Sequence, residues 1–378
     1  MRSTYYNCGG LTGSPVCGNN VTNMRSTYYE CRGLTGSPVC GDNVQNMAYA
    51  YYQCRGLTGS PVCGEKVTNI NNTYYHCYNL TGSPVCGDNV TDMATAYQYC
   101  YNLTGSPVCG NNVQNMTYAY SHCNKLTGSP VVSDNVVQMA FAYADCSNLT
   151  GSPVCGNNVT NMKGSYKNCY NLTGSPVCGD NVTTMAYAYD NCVNITGSPV
   201  FSEKVSNASF AYATCQNLTG QPACPDTLTS MAGLYANCYN LTGSPICGNN
   251  VTNMAEAYKG CRNLTGAAIC GEKVTNMWNT YRGCLNLSSN AYLYSPSVSN
   301  VWNCFNGRSP LSNKFNIYAI TDSTTLTSLL CSNTKSIIGM EITWTDDTAS
   351  NGCYYNAYYN VYIYPVEDVA AARTANGD

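Results

Sequence analysis

The sequence predicts a repeat solenoid followed by a small α+β domain, and three observations lead to this fold class. Tyr and Cys recur together every 23 residues in thirteen copies, from Tyr5 and Cys8 to Tyr281 and Cys284. A segment close to Leu-Thr-Gly-Ser-Pro-Val-Cys-Gly recurs with the same period, and the period breaks after about residue 288. A fixed period of this size is typical of a solenoid, because one copy is too small to bury its own apolar face and must stack on its neighbours.

The first element of each coil is predicted to be a short helix. Met24, Thr27, Tyr28 and Cys31 are spaced as i, i+3, i+4 and i+7, which is the apolar stripe of an amphipathic helix. Polar residues that suit a helix N-cap, such as Asn23, precede the Met. The Tyr rings would then lie in the core and stack along the solenoid, with their hydroxyls at a polar edge.

The second element is predicted to be a short strand that pairs in parallel between coils. Val16 and Cys17 and their equivalents are its best candidates, but Pro15 removes one ladder donor and keeps the strand very short. The preceding glycine is present in twelve copies, from Gly13 to Gly266, which indicates a positive φ or a close backbone approach.

The predicted organisation has three parts. Residues 1–288 form the solenoid of about thirteen coils, 289–312 a degenerate coil and junction, and 313–378 a small α+β capping domain. Patterning predicts three strands, at 316–320, 336–344 and 360–364. It predicts two helices, at 324–330 and 366–373. Met1 already occupies a repeat position, so we expect a mature or fragmentary piece of a longer protein, or an end that docks on a partner.

Composition excludes several classes of function. Charged residues make up 10% of the chain and the net charge is −3, so no basic stripe could follow a nucleic-acid backbone. No apolar run approaches the roughly 20 residues of a membrane span, and no signal-peptide pattern is present. The sequence contains no nucleophile elbow and no phosphate loop, and it has only two His that could act as general acids or bases. We therefore expect no enzyme activity, no cofactor, no nucleic-acid partner and no membrane insertion.

The 26 cysteines form two columns with three outliers. In an oxidising compartment they could form a disulfide framework. The second column, however, has Val132 and Phe201 at two positions where the first column keeps its Cys. A lost disulfide partner would strand a thiol, whereas a buried thiol exchanges freely with Val, so core thiols are favoured. Zinc is less favoured, because no Cys-x-x-Cys occurs and the two His lie apart from any ligand cluster.

The columns that vary between copies predict a binding face. They lie six, five, two and one residues before the first-column Cys and one after it, and their mixture of Tyr, Asn, Ser and Gly resembles a paratope. The alternative is that these columns are ordinary solvent-exposed positions, which vary because the surface tolerates most substitutions. The candidate ligand-binding residues are Tyr6, Tyr29, Arg32, Tyr49, Tyr52, Arg55, Tyr75, Tyr78, Tyr99, Tyr101, Tyr118, His122, Asp145, Tyr170, Asp190 and Tyr239.

The motif Ala-Tyr-x-x-Cys-x-Asn-Leu-Thr, followed by a short strand, a turn, Val and Met, resembles the BspA-type leucine-rich repeat. Tyr stands where that family has Phe, Met where it has Ile, and Pro precedes the strand instead of following it. The resemblance implies a leucine-rich-repeat-like solenoid of the kind found in bacterial and protist surface adhesins and in bacteriophage tail proteins. The tail, with segments 343–346 and 361–365, resembles more weakly the C-terminal modules of phage-like proteins.

These inferences lead to two expected functions. The first is a non-enzymatic adhesion or receptor-binding protein, extracellular on a cell surface or virion, that recognises a host-surface glycan or protein. The alternative is a structural subunit of an extracellular fibre, appendage or virion that assembles through the uncapped N-terminal coil, where other structural or tail proteins or copies of the chain would dock.

Overall fold

The computed structural model describes residues 1–307, 315–320, 345–347, 353–356, 361–366 and 368–377. The chain divides into two compact units, Met1–Ile195 and Thr196–Asp378. The strand predicted at 336–344 and the helix predicted at 324–330 lie outside the described residues. This division does not test the predicted boundaries after residues 288 and 312, which remain predictions.

The first unit is a repeat solenoid whose coils are joined by backbone hydrogen bonds. The amides of Met24 and Tyr28 donate to the carbonyls of Asn46 and Ala50, each at 2.8 Å. Each bond joins a residue to one 22 positions later, and Asn23 and Asn46 form a parallel bridge. The same bonds recur from coil to coil, so neighbouring copies stack in parallel and in register.

The segment predicted as a helix is instead two successive β-turns. The Thr27 amide donates to the Met24 carbonyl at 3.0 Å, and the Cys31 amide donates to the Tyr28 carbonyl at 3.1 Å. The third residue of each turn is left-handed, with φ of 54° at Ser26 and 56° at Glu30, as in a type II turn. The helix prediction is wrong because two four-residue turns bury positions i, i+3, i+4 and i+7, the same set that one face of a helix buries.

These turns place side chains at positions that favour glycine. Thr95 has φ of 59° and Tyr118 has φ of 55°, while the same column holds Gly164 in a later coil. A left-handed conformation costs a residue with a Cβ roughly 1–2 kcal/mol, and Asn tolerates it best after Gly.

Thr95→Asn should therefore stabilise the first unit, by up to about 1 kcal/mol. The substitution replaces a β-branched side chain at a left-handed position, and urea unfolding followed by circular dichroism measures the change. Thr117→Asn is the matched control, because Thr117 lies one column away and is not left-handed. Equal gains from both substitutions would contradict the assignment of the gain to backbone conformation.

The structure of the Gly-Ser-Pro-Val-Cys segment confirms the predicted positive φ of its glycine, but the strand predicted after the proline does not form in the first unit. All twelve glycines from Gly13 to Gly266 have a positive φ, between 75° and 86°. No strand is assigned to this segment in the first unit, where Pro is present in every complete copy. In the second unit a strand does form at Ala268–Cys270, and Ala268 stands at the proline position. The loss of the proline restores the missing amide and lets the segment pair.

The second unit continues this strand into a sheet. Its strands are β1 (Ala268–Cys270), β2 (Asn290–Leu293), β3 (Phe315–Ile320), β4 (Thr345–Asp347), β5 (Cys353–Asn356) and β6 (Val361–Val366), in the order β1-β2-β3-β6-β5-β4. The first four strands in this order pair in parallel, and the last two add antiparallel. Strands β3 and β6 overlap the predicted 316–320 and 360–364.

Helix α1 (Val369–Ala375) follows β6 and overlaps the predicted 366–373. The side chain of Asp368 caps it by accepting a hydrogen bond from the Ala371 amide at 3.0 Å. Val369 packs with Ala267 and Tyr292, so the helix covers the last coil and the sheet of the same unit.

The core of each unit is built on a column of stacked tyrosines. The ring centroids of Tyr28 and Tyr51 lie 5.5 Å apart at 7° in the first unit, and those of Tyr258 and Tyr281 lie 5.6 Å apart at 4° in the second. Each hydroxyl crosses the core to the backbone 12 residues earlier. The Tyr28 hydroxyl accepts from the Val16 amide at 3.0 Å and donates to the Val16 carbonyl at 2.6 Å. The tyrosines thus satisfy the backbone that follows each proline.

The first cysteine column is part of the same core. Cys54 is fully buried and its thiol donates to the Tyr28 carbonyl of the preceding coil at 2.9 Å. All the cysteines that the structure describes outside the C-terminal strands are free thiols. The prediction of core thiols is confirmed for the first column from Cys31 to Cys284, but Cys8 in the first coil is exposed, and the second column is mostly half-buried, as at Cys40 and Cys86.

Burial should make stability fall at alkaline pH. It raises the pKa of Cys40 to about 11 and that of Cys86 to about 12. In the folded protein the pKa of each thiol lies above its unfolded value of about 8.5. The contribution of the buried neutral thiols to the free energy of unfolding is therefore fully present below pH 8.5 and is lost as the pH rises towards 11–12. Urea midpoints measured between pH 7.5 and 10.5 should fall. The urea midpoint of the Cys40→Val variant, which has the residue found at the equivalent position 132, should fall less over this pH range than that of the unchanged protein. An equal fall would contradict the role of the Cys40 thiol.

Candidate binding face

Most candidate residues of the first unit lie in the two turns of each coil, and those one residue after the Cys, such as Arg32, lie in a further turn in which the Leu34 amide donates to the Cys31 carbonyl at 3.3 Å. They occupy the turn segments rather than the predicted helix. Because consecutive coils pair in register at about 4.8 Å, residues 23 positions apart lie directly above one another. A side chain repeated in one column therefore forms a stack, and this produces the geometry of the face.

Six rings form a continuous row, called here the aromatic strip, made of Tyr6, Tyr29, Tyr52, Tyr75, Tyr99 and His122. The first four are stacked, with centroid distances of 4.6, 4.5 and 4.7 Å. Tyr75 and Tyr99 then meet edge to face at 5.9 Å and 82°. Tyr99 stacks on His122 at 4.5 Å. The strip changes column at this step, because buried Gln98 takes the position of the earlier tyrosines.

Burial in the stack raises the pKa of two phenols of the strip. Burial, and then the neighbouring phenols of Tyr52 and Tyr6, raise the pKa of Tyr29 to about 12. Burial and the phenol of Tyr52 also raise the pKa of Tyr75. These two phenols are therefore uncharged hydrogen-bonding groups at physiological pH. Since neighbouring rings cover their faces, the inner members present edges and hydroxyls to solvent.

A second row runs beside the strip, and the two rows meet at a cluster called here the aromatic corner: Tyr75, His76, Tyr78, Tyr99 and Tyr101. Tyr78 carries the Arg55 guanidinium on its ring at 5.3 Å and stacks on Tyr101, also at 5.3 Å. His76 Nδ1 lies 2.5 Å from the Tyr78 hydroxyl. Burial, and then the charge of Arg55, lower the pKa of His76, so its imidazole is neutral near pH 7.

Beyond His122 the face becomes polar. His122 Nε2 lies 3.5 Å from Asp145 Oδ2, and Asn168 donates to Asp145 Oδ1 at 2.7 Å. Lys167 and Asp190 form an ion pair at 2.8 Å in the neighbouring column. These side chains pair with one another, so the polar end carries little unbalanced charge.

The remaining candidates are dispersed. The ring of Tyr49 is tilted against Tyr29 of the strip, and the Arg25 guanidinium lies over it. Arg32 forms an ion pair with Glu30 at 2.9 Å. Tyr118 stacks on Phe141 at a centroid distance of 4.8 Å. Tyr170 is 40% exposed and has no ring partner among the described residues. Tyr239 belongs to the second unit, where Arg262 lies 4.7 Å from its ring centroid.

Residue-by-residue reasoning missed several members of the face. His76 lies in the column that holds Tyr99 and His122, and Phe141 lies in the column that holds Tyr118. Arg25 and Lys167 place cationic groups on neighbouring Tyr rings, at 5.3 and 4.8 Å from their centroids. The 23-residue period, applied to whole columns, would have found all four.

Within the described ranges, no group of three or more His, Cys, Asp or Glu side chains is arranged to hold a metal ion. The same residues contain no helix that is long and apolar enough to cross a membrane.

Comparisons with known proteins give little further guidance. No protein-family model matches the chain. No curated protein matches it. Among solved structures it is similar to that of a leucine-rich cell surface protein from Faecalibacterium prausnitzii A2-165, at 17% identity and a TM-score of 0.43, over 75% of this chain and 87% of that one. A TM-score of this size does not establish a common fold. The description as a solenoid therefore depends on the chain's own backbone contacts.

Proposed function

We propose that this chain is a non-enzymatic, BspA-like adhesion or receptor-binding protein, extracellular on a cell surface or virion. It recognises a host-surface glycan or protein through the turn face of its first unit. The observation that carries this proposal is the aromatic strip, because six rings from six consecutive coils form one row on the variable side of the solenoid.

The strip has the physical properties of a preorganised binding surface. Each inner ring is held between its neighbours, so little side-chain entropy remains to be lost when a ligand binds. Tyr offers a large contact area together with a hydroxyl, which is why binding surfaces are rich in it. The phenols are uncharged and the nearby ion pairs are internal. The surface therefore suits a ligand that offers hydrogen bonds and apolar area rather than strong charge.

The test is binding of the labelled full chain to immobilised panels of glycans and extracellular proteins. The double variant Tyr29→Ala and Tyr52→Ala removes the centre of the strip and should weaken binding at least about tenfold, as expected for central aromatic anchors. Val131→Ala is the control, because Val131 is 40% exposed but lies in the Gly-Ser-Pro-Val segment. Circular dichroism checks that each variant folds. Full binding by the folded double variant would overturn the proposal.

A further inference from the structure

We propose that the thiols of Cys86 and Cys109 and the thioether of Met116 form a binding site for a soft monovalent cation of the Cu(I) or Ag(I) type. The three residues belong to the first unit and have no member in common with the aromatic strip or the aromatic corner. The site is therefore independent of the proposed function.

The second cysteine column brings two thiols together from neighbouring coils. Cys86 and Cys109 are 23 residues apart, so the stacking of the coils in register places them about 4.8 Å apart along the stack. A Cβ at Gly110, which follows Cys109, would lie 3.3 Å from Cys86 Sγ. The Cys86 thiol therefore extends towards the next coil. Burial, and then the neighbouring thiols of Cys63 and Cys109, raise the pKa of Cys86 to about 12, in keeping with this proximity.

A methionine thioether lies beside these thiols. The Cys109 thiol donates to Met116 Sδ at 3.6 Å, and Met116 is fully buried. Metal–sulfur bonds of about 2.3 Å hold two sulfur ligands less than about 4.6 Å apart, so this separation fits a shared ion. The same contact between thiol and thioether recurs in two other coils, between Cys17 and Met24 and between Cys155 and Met162, each at 3.5 Å.

The fold holds the site in place and leaves a path to it. Cys109 follows Val108, whose amide and carbonyl both bond to the Tyr120 hydroxyl, at 3.2 and 2.6 Å. Both thiols are only half-buried. Cys86 also lines an open cavity of about 420 Å³. An ion can therefore reach the thiols from solvent, while the thioether waits behind them in the core.

The donor atoms select a soft cation. Thiolate and thioether sulfurs favour Cu(I), whereas Mg²⁺, Ca²⁺ and Mn²⁺ favour oxygen ligands. Structural zinc sites are almost always tetrahedral, with four ligands. Among the described residues no third Cys, His, Asp or Glu converges on the two thiols, so the set for zinc is incomplete. Each thiol releases its proton to solvent when its sulfur binds the ion, and the ion keeps its oxidation state.

The experiment is an anaerobic titration of the reduced full chain with Cu(I), in competition with a coloured Cu(I) chelator that removes weakly held ions. Cys109→Val should lower the number of tightly bound ions by one, because Cys109 contacts the thioether and neighbours the other thiol. Val is the residue found at the equivalent position 132. Met116→Ile has the residue found at position 70 and keeps both thiols, so it should weaken the binding of this ion at least about tenfold.

Cys63→Val is the matched control. Cys63 is half-buried in the same column, but its coil has Ile70 at the methionine position, so the number of tightly bound ions should not change. Circular dichroism checks that each variant folds. Four results would overturn the proposal: an unchanged number of ions in Cys109→Val, an equal loss in Cys63→Val, an unchanged affinity in Met116→Ile, or displacement of the bound Cu(I) by an equal concentration of Zn²⁺.

Discussion

Tyr120→Ala should lower the free energy of unfolding of the first unit by about 3–5 kcal/mol, which is the range for a large aromatic side chain removed from a core. Tyr120 is fully buried, and its ring stacks between Tyr97 at 5.4 Å and Tyr143 at 5.5 Å. Truncation leaves a cavity in the middle of the column and removes both stacking contacts. Urea unfolding of the full chain, followed by circular dichroism, measures the loss.

The hydroxyl of the same residue can be tested alone. It accepts from the Val108 amide at 3.2 Å and donates to the Val108 carbonyl at 2.6 Å. Tyr120→Phe leaves both backbone groups without this partner, so it should cost about 1–3 kcal/mol. Tyr118→Phe is the control, because Tyr118 lies on the outer face and its hydroxyl has no such partner. If both Phe variants unfold at the same urea concentration, the hydroxyl does not support the backbone as described.

Gly105→Ala should have the second largest effect, a loss of about 2–4 kcal/mol from backbone strain and overpacking together. Gly105 has φ of 78°, and a Cβ there would clash with Ser83 Oγ of the preceding coil. The new methyl group must therefore displace Ser83 as well as adopt a left-handed conformation. The loss is measured by the same urea unfolding.

Gly13→Ala separates the two contributions to this loss. Gly13 occupies the same column with φ of 86°, but a Cβ there would meet nothing within 4 Å. This variant should show only the backbone cost of roughly 1–2 kcal/mol. Equal losses at the two glycines would mean that contact between coils contributes nothing.

The sequence predicted the solenoid correctly because the period is a property of the whole chain. The 23-residue spacing of Tyr28, Tyr51 and Tyr74 requires these residues to recur at one place in every coil, whatever the coil's internal structure. The local element was not predictable in the same way. Burial of Met24, Thr27, Tyr28 and Cys31 fits a helix and a pair of turns equally well, and the choice depends on hydrogen bonds to the next coil. A single repeat carries no signal of those bonds.

The binding face shows the same limit. Its columns could be identified because they vary, and Tyr29 and Tyr52 were recognised as one column. Their stacking, and the change of column at Tyr99, depend on the register between coils. Such properties become visible only when each column is followed along the stack.

The proline column has a consequence for how this chain behaves among copies of itself. Near-identical segments repeated many times are the composition from which amyloid-like cross-β stacking grows, since each segment can template another. Here Pro38 and its equivalents offer no amide to an incoming strand. The proline column therefore removes one ladder donor from each copy of the most repetitive segment, which disfavours its pairing with the same segment of another molecule.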